Sequence, residues 1–189
     1  MPLPFPESEG TQSVFTPQET DNAVLFAETF TALQGKFVFC NDIQEAAMHL
    51  EGLLTIRNWK KIYCKNEELH AQLFPQMQLT DNLAGCDAAV TNCEFLVART
   101  GSIVLSAAQD GGRTASVYAP AHICIASSSQ LVYDVKDALQ AIGEKYTENL
   151  PSFITFASGP SRTADIEKTL VTGVHGPKEV YCYLVDAPF

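Results

Sequence analysis

Apolar positions along this chain repeat with two different periods. Ala23, Phe26, Ala27, Phe30 and Leu33 recur at the three-and-four spacing of a helix face, and Gly35 closes the run. Thr16-Pro17-Gln18-Glu19 supplies a start for that helix, with Thr16 as cap, Pro17 in the first turn and Glu19 completing a capping box. Residues 37–40 form an apolar run of strand type. Asn41 or Asp42 then caps a second helix, with Ala46, Ala47, Leu50 and Leu53 on one face. Residues 61–64 predict the next strand, 67–74 a short helix and 75–83 a connecting loop. Strands alternating with helices predict parallel pairing through helical crossovers.

The pattern changes in the middle of the chain. Residues 88–91, 103–106, 116–118 and 123–126 predict short strands between Gly- or Pro-containing turns, with one short helical turn near 94–97. Ser127-Ser128-Ser129-Gln130 is a second capping box. It predicts a helix that buries Leu131, Val132, Val135, Ala138, Leu139 and Ile142. A strand at 153–157, a tight turn, a helix from about Thr163 carrying Ile166, Leu170 and Val171, and a last strand at 180–185 complete the reading. Residues 1–15, rich in Pro, Ser and Glu, predict a flexible arm ahead of one α/β domain over 16–189.

With 189 residues and 46% hydrophobic positions, the chain can bury a core without a disulfide or metal. Twelve Lys and Arg against 22 Asp and Glu give a net charge of −10. That balance repels nucleic acid and anionic membranes, while leaving room for a local basic pocket that takes a small anion. Apolar runs fall far short of the roughly 18 residues needed to span a bilayer, and the first residues lack the pattern of an export signal. The six cysteines include no C-x-x-C pair, and Cys40, Cys64, Cys124 and Cys182 sit in apolar runs as buried strand thiols. The expectation is a cytoplasmic protein with no iron–sulfur cluster, other cofactor or metal.

Two segments carry candidate chemistry. Ser158, Gly159, Ser161, Arg162 and Thr163 lie between a predicted strand and a predicted helix, where backbone N–H groups, hydroxyls and a guanidinium converge on an anion. The same residues also fit a capped helix in which Arg162 pairs with Asp165 or Glu167. Arg99, Thr100, Gly101 and Ser102, with Arg113 further on, make a second anion-binding candidate. Their alternative is a turn and a hairpin tip with two solvated arginines. His122 and His175 are candidate acid/base groups, and Cys93 and Glu94 a candidate nucleophile or base. Structural hydrogen bonding is the alternative for each histidine, and an inert role for Cys93 and Glu94. His49 and His70 fall on helices as surface residues. No paired-histidine zinc motif, Walker loop, G-x-G-x-x-G or G-x-S-x-G is present.

Taken in order, Thr100-Gly101-Ser102-Ile103-Val104-Leu105, Gly112-Arg113, Pro120-Ala121-His122-Ile123, Ser158-Gly159-Pro160-Ser161-Arg162-Thr163-Ala164-Asp165-Ile166-Glu167 and Gly173-Val174-His175-Gly176-Pro177 resemble the LUD domain, the lactate-utilization family, in its short LutC-like form. The motif-bearing part is 84–189. The resemblance implies a NagB/RpiA/CoA transferase-like fold, mainly a parallel sheet flanked by helices. It also implies an accessory or regulatory role in oxidizing L-lactate to pyruvate beside iron–sulfur oxidoreductase subunits. Many members read E-T-G-[ST] where this chain has Arg99-Thr100-Gly101-Ser102. An arginine there suits binding an anion better than forming an acyl intermediate. The alternative is an independent enzyme or sensor for a small phosphorylated, CoA-linked or carboxylate metabolite.

Overall fold

The computed structural model describes residues 21–163, 171–173 and 175–188. The arm at 1–15, the capping box at Thr16 and the interior of the helix expected after Thr163 lie outside the described residues. The first described helix, α1 (Asn22–Ala32), is capped by Asp21, whose carboxylate accepts the Ala23 N–H at 2.7 Å. It is followed by β1 (Lys36–Cys40), α2 (Ile43–Arg57), β2 (Ile62–Cys64), α3 (Glu67–Leu73) and β3 (Ala88–Thr91). Asp42 caps α2 through the Glu45 N–H. Asn58 closes it in the left-handed conformation, where asparagine is tolerated.

Next come β4 (Phe95–Val97), β5 (Ser102–Ser106), α4 (Gly112–Tyr118), β6 (Ala121–Ser127), β7 (Leu131–Val132), α5 (Val135–Lys145), β8 (Ile154–Ala157), β9 (Arg162–Thr163), β10 (Val171–Thr172) and β11 (Glu179–Val185). Four sequence expectations are corrected in this half. Residues 116–118 end a helix rather than forming a strand, since Gly111 in the left-handed region turns the chain into α4. Residues 95–97 are a strand, and the short helical turn follows at Ala98–Thr100. The capping box at Ser127 closes only a 3₁₀ turn, Ser128–Gln130, and α5 takes its own box from Asp134 and Asp137. Thr163 itself is a strand residue rather than a helix start. It pairs with Val171 in an antiparallel ladder.

All five strands of the main sheet are parallel, in the order β1-β11-β6-β3-β2. Its centre is buried on both faces, so β6 and β11 read as continuous apolar runs rather than alternating ones. Leu50 and Leu54 of α2 and Leu69 and Leu73 of α3 cover one face over Ile62, Val90, Ile123 and Ile125. On the other face Phe26 and Phe30 of α1 pack with Leu96, Ile103 and Leu105, while α4 covers Ala89. Leu96, Ile103 and Leu105 belong to a second sheet, β7-β4-β5-β8, mixed in direction. Ala138 and Ile142 of α5 seal its outer side against Val97 and Val104. The chain is thus one α/β domain, with a small mixed sheet laid over a larger parallel one.

Candidate functional site

The turn entering β5 meets the end of β8 because the antiparallel register places Ile103 opposite Ala157. Ser102 Oγ lies 2.8 Å from Thr100 Oγ1 and 2.7 Å from Ser158 Oγ, so three hydroxyls form one chain of hydrogen bonds. Two glycines let the backbone sit this close to α1. Gly101 has φ +57, and a Cβ there would lie 2.7 Å from the Phe30 backbone nitrogen. Gly159 has φ +78, and its Cβ would lie 2.4 Å from the Leu33 carbonyl oxygen. Any other residue would combine backbone strain with a clash against main chain. Thr29 Oγ1 donates to the Ala98 carbonyl at 2.7 Å and ties α1 to the same turn.

Thr100, Gly101, Ser102, Ser158 and Gly159 are therefore brought together, although distant in sequence. The arginines are arranged differently. Arg99 forks onto Asp134, with Nε at 3.1 Å and Nη2 at 2.8 Å from the two carboxylate oxygens. Hydrogen bonding to Arg99 holds the Asp134 carboxyl below its ordinary range, and the same bond raises the guanidinium's. Arg162 is exposed on β9, opposite Thr172. Ser161 is held by backbone bonds, its N–H to the Pro177 carbonyl at 3.0 Å and its carbonyl from the Gly173 N–H at 2.9 Å. Thr163 lies on β9 and Arg113 on α4.

His175 is exposed. It lines a cleft of about 490 Å³ with Tyr118, Pro120, Gly173 and Lys178. Lys178 and Tyr118 carry no sequence signal of their own. They reach this cleft because the Lys178 N–H bonds to the Pro120 carbonyl at 2.8 Å, folding 173–178 against the end of α4.

His122 is placed elsewhere, fully buried in the middle of the parallel sheet. Its Nε2 is 2.8 Å from Thr91 Oγ1, and its Nδ1 is buried with no hydrogen-bond partner. Burial pushes its pKa down to about 4, so the ring is neutral at pH 7. Glu94 is buried at the entry to β4. Burial pushes its carboxyl up, but donors prevail and hold it below the ordinary range: Lys145 Nζ at 2.8 Å, Ser106 Oγ at 2.5 Å and Tyr146 OH at 2.9 Å. Both partners at the C-terminal end of α5, Lys145 and the capping Tyr146, were illegible from local spacing. Cys93 and Cys124 are raised well above the ordinary thiol value, Cys93 by its hydrogen bond to Cys124 and by burial, Cys124 chiefly by Cys182. They are protonated, which disfavours nucleophilic work. All six cysteines are unpaired. Among the described residues no group of three or more His, Cys, Asp or Glu is placed to hold a metal ion, and no helix is long and apolar enough to cross a membrane.

The LUD domain family matches this chain over residues 57–185, a longer stretch than the sequence motifs covered. Lactate utilization protein C of Deinococcus radiodurans is 37% identical over 100 residues, 52% of this chain and 46% of that protein. The protein of the same name from Halalkalibacterium halodurans is 36% identical over 110 residues, 57% of this chain and 47% of its own. An uncharacterized protein of Neisseria meningitidis is 35% identical over 102 residues, 53% of this chain and 43% of that one. The matched stretch thus spans about half the length of these curated relatives. A crystal structure of a DUF162 family protein from Deinococcus radiodurans superposes with a TM-score of 0.66 at 21% identity, covering 88% of this chain and 99% of that one, a likeness of fold.

Proposed function

The chain belongs to the LUD domain family, and from that premise we propose that it is a cytoplasmic accessory or regulatory component of L-lactate utilization, working with iron–sulfur oxidoreductase subunits. The observation that carries this reading is the family match over 57–185, joined by relatives named lactate utilization protein C. The occupied state of the reactive groups supports an accessory role. Glu94 is tied to three donors, Arg99 is bonded to Asp134, and His122 is sealed in the sheet. Under this reading the hydroxyls of Thr100, Ser102 and Ser158, with the turn leading to Arg162, receive a small carboxylate. Affinity purification from cells growing on L-lactate tests it. Iron–sulfur subunits should co-purify with the tagged chain, and their absence under mild lysis contradicts the proposal.

A second reading rests on the His175–Lys178 cleft. There an imidazole and an ammonium flank a space large enough for a small metabolite, which suits an independent enzyme or sensor for a phosphorylated, CoA-linked or carboxylate ligand. Thermal-shift screening separates the two. A ligand at 100 times its dissociation constant adds about 2.7 kcal/mol of stability. Lys178→Ala should remove that shift, and no shift with any compound counts against this reading.

A further inference from the structure

Sequence position and chemistry coincide on the outer face of α2. Met48 and Ile56 are 64% and 84% exposed, although both sit on a 15-residue helix whose opposite side is core. With Gly52 between them they form one ridge at four-residue spacing. A Cβ built on Gly52 meets nothing within 4 Å, so the ridge has an open notch at its centre. Beside it runs a groove of about 880 Å³, floored by Leu54, Trp59, Leu73 and Phe74. Gln72 lines the same groove, and its Oε1 is buried with no hydrogen-bond partner. An exposed apolar ridge beside an apolar groove marks an interaction surface.

The charges select the occupant. The chain as a whole carries −10, yet α2 and the residues just past it separate their charges by end. Asp42 and Glu45 lie at the N-terminal end of α2, Glu51 at its middle, and Lys60 and Lys61 just past its C-terminal end, while Arg57 is already engaged by Glu179. A second α2 laid antiparallel across the Gly52 notch sets each Met48 against the partner's Ile56. It also brings each basic end beside an acidic one. The face is complementary to itself under a two-fold rotation, the commonest symmetry of homo-oligomers. We propose that two copies of this chain associate through α2, centred on Gly52, with the groove closed by the partner. This interface is independent of the lactate reading.

Light scattering on the full chain across roughly 1–200 μM, a span that brackets a micromolar dissociation constant, tests the proposal. The wild type should reach twice the 20.6 kDa chain mass. Ile56→Glu should raise the dissociation constant at least about thirtyfold, as loss of a central interface anchor does. Gly52→Arg fills the notch from a site with open space around it, so the monomer should keep its circular dichroism and melting temperature while the dimer is lost. A wild type that stays monomeric throughout the range overturns the proposal, even if the monomer captures a different protein. A dimer that survives both substitutions also overturns it, because the contact then lies elsewhere.

Discussion

His122 on the parallel sheet and Glu94 at the entry to the small mixed sheet are both removed from water, yet one is kept neutral and the other charged. The difference lies in what surrounds them. His122 is flanked by strand neighbours Ala89 and Val180, and among the described residues only Thr91 hydrogen-bonds its ring. A charge there would be unpaired, so the ring gives up its proton. Glu94 stands where β5 and α5 both end, and their termini supply a hydroxyl, a phenol and an ammonium. The centre of the parallel sheet around His122 keeps charge out, and its ion pairs sit at the strand starts, where Lys36 and Arg57 meet Glu179, whereas the mixed sheet gathers polar groups beside its core. Arg99–Asp134, Glu94–Lys145 and the Thr100–Ser102–Ser158 hydroxyls all lie on or beside the smaller layer.

The largest expected effect lies in the parallel sheet. Ile123→Ala empties a fully buried site on the central strand and should cost about 2–5 kcal/mol in denaturant unfolding. A loss under about 1 kcal/mol would mean that this layer is not the main core. Next comes the pH dependence. The folded pKa of His122 is about 4, below the ordinary 6.5, so the unfolded chain binds the extra proton between those values. Stability from this group is complete above pH 6.5 and falls by roughly 3 kcal/mol as pH drops to 4. His122→Asn should flatten that slope, and an unchanged slope would place its origin elsewhere. Glu94 acts lower down, because its depressed pKa gives stability that is present above 4.5 and lost as pH falls further.

Lys145→Met sharpens the contrast with a smaller effect. It strips the cation from Glu94 while leaving Ser106 and Tyr146 in place. Since Lys145 is itself half exposed, the loss should be about 2 kcal/mol at pH 7, below that of a fully buried pair. The gap from wild type should narrow in acid as the carboxyl takes a proton. The smallest effect is that of Ser102→Ala, which leaves Ser158 and Thr100 without their shared partner and should cost about 1 kcal/mol. A change in ligand-induced melting shift well beyond that would assign the hydroxyls to binding.

Periodicity revealed most of the parallel layer, because α2, α3, β3, β6 and β11 carry their pairing in their own apolar pattern. It failed where the controlling contact is distant. Ser116-Val117-Tyr118 has strand-like composition, but Gly111 and the cover needed over Ala89 make it helical. Leu131 and Val132 leave the helical pattern because they pair with Leu96 and Val97. Arg99 reads as a solvated or anion-binding side chain until Asp134, 35 residues away, is folded against it. The meeting of 100–102 with 158–159 was legible as two motifs. The hydrogen bonds that join them were not, because they follow from the β5–β8 register.

Growth tests the functional account most directly. Deleting the gene should slow growth on L-lactate as sole carbon source while leaving growth on pyruvate unchanged, with the wild-type gene restoring it. Equal growth of the deletion and parent strains on L-lactate, with lactate consumed at the same rate, would contradict it.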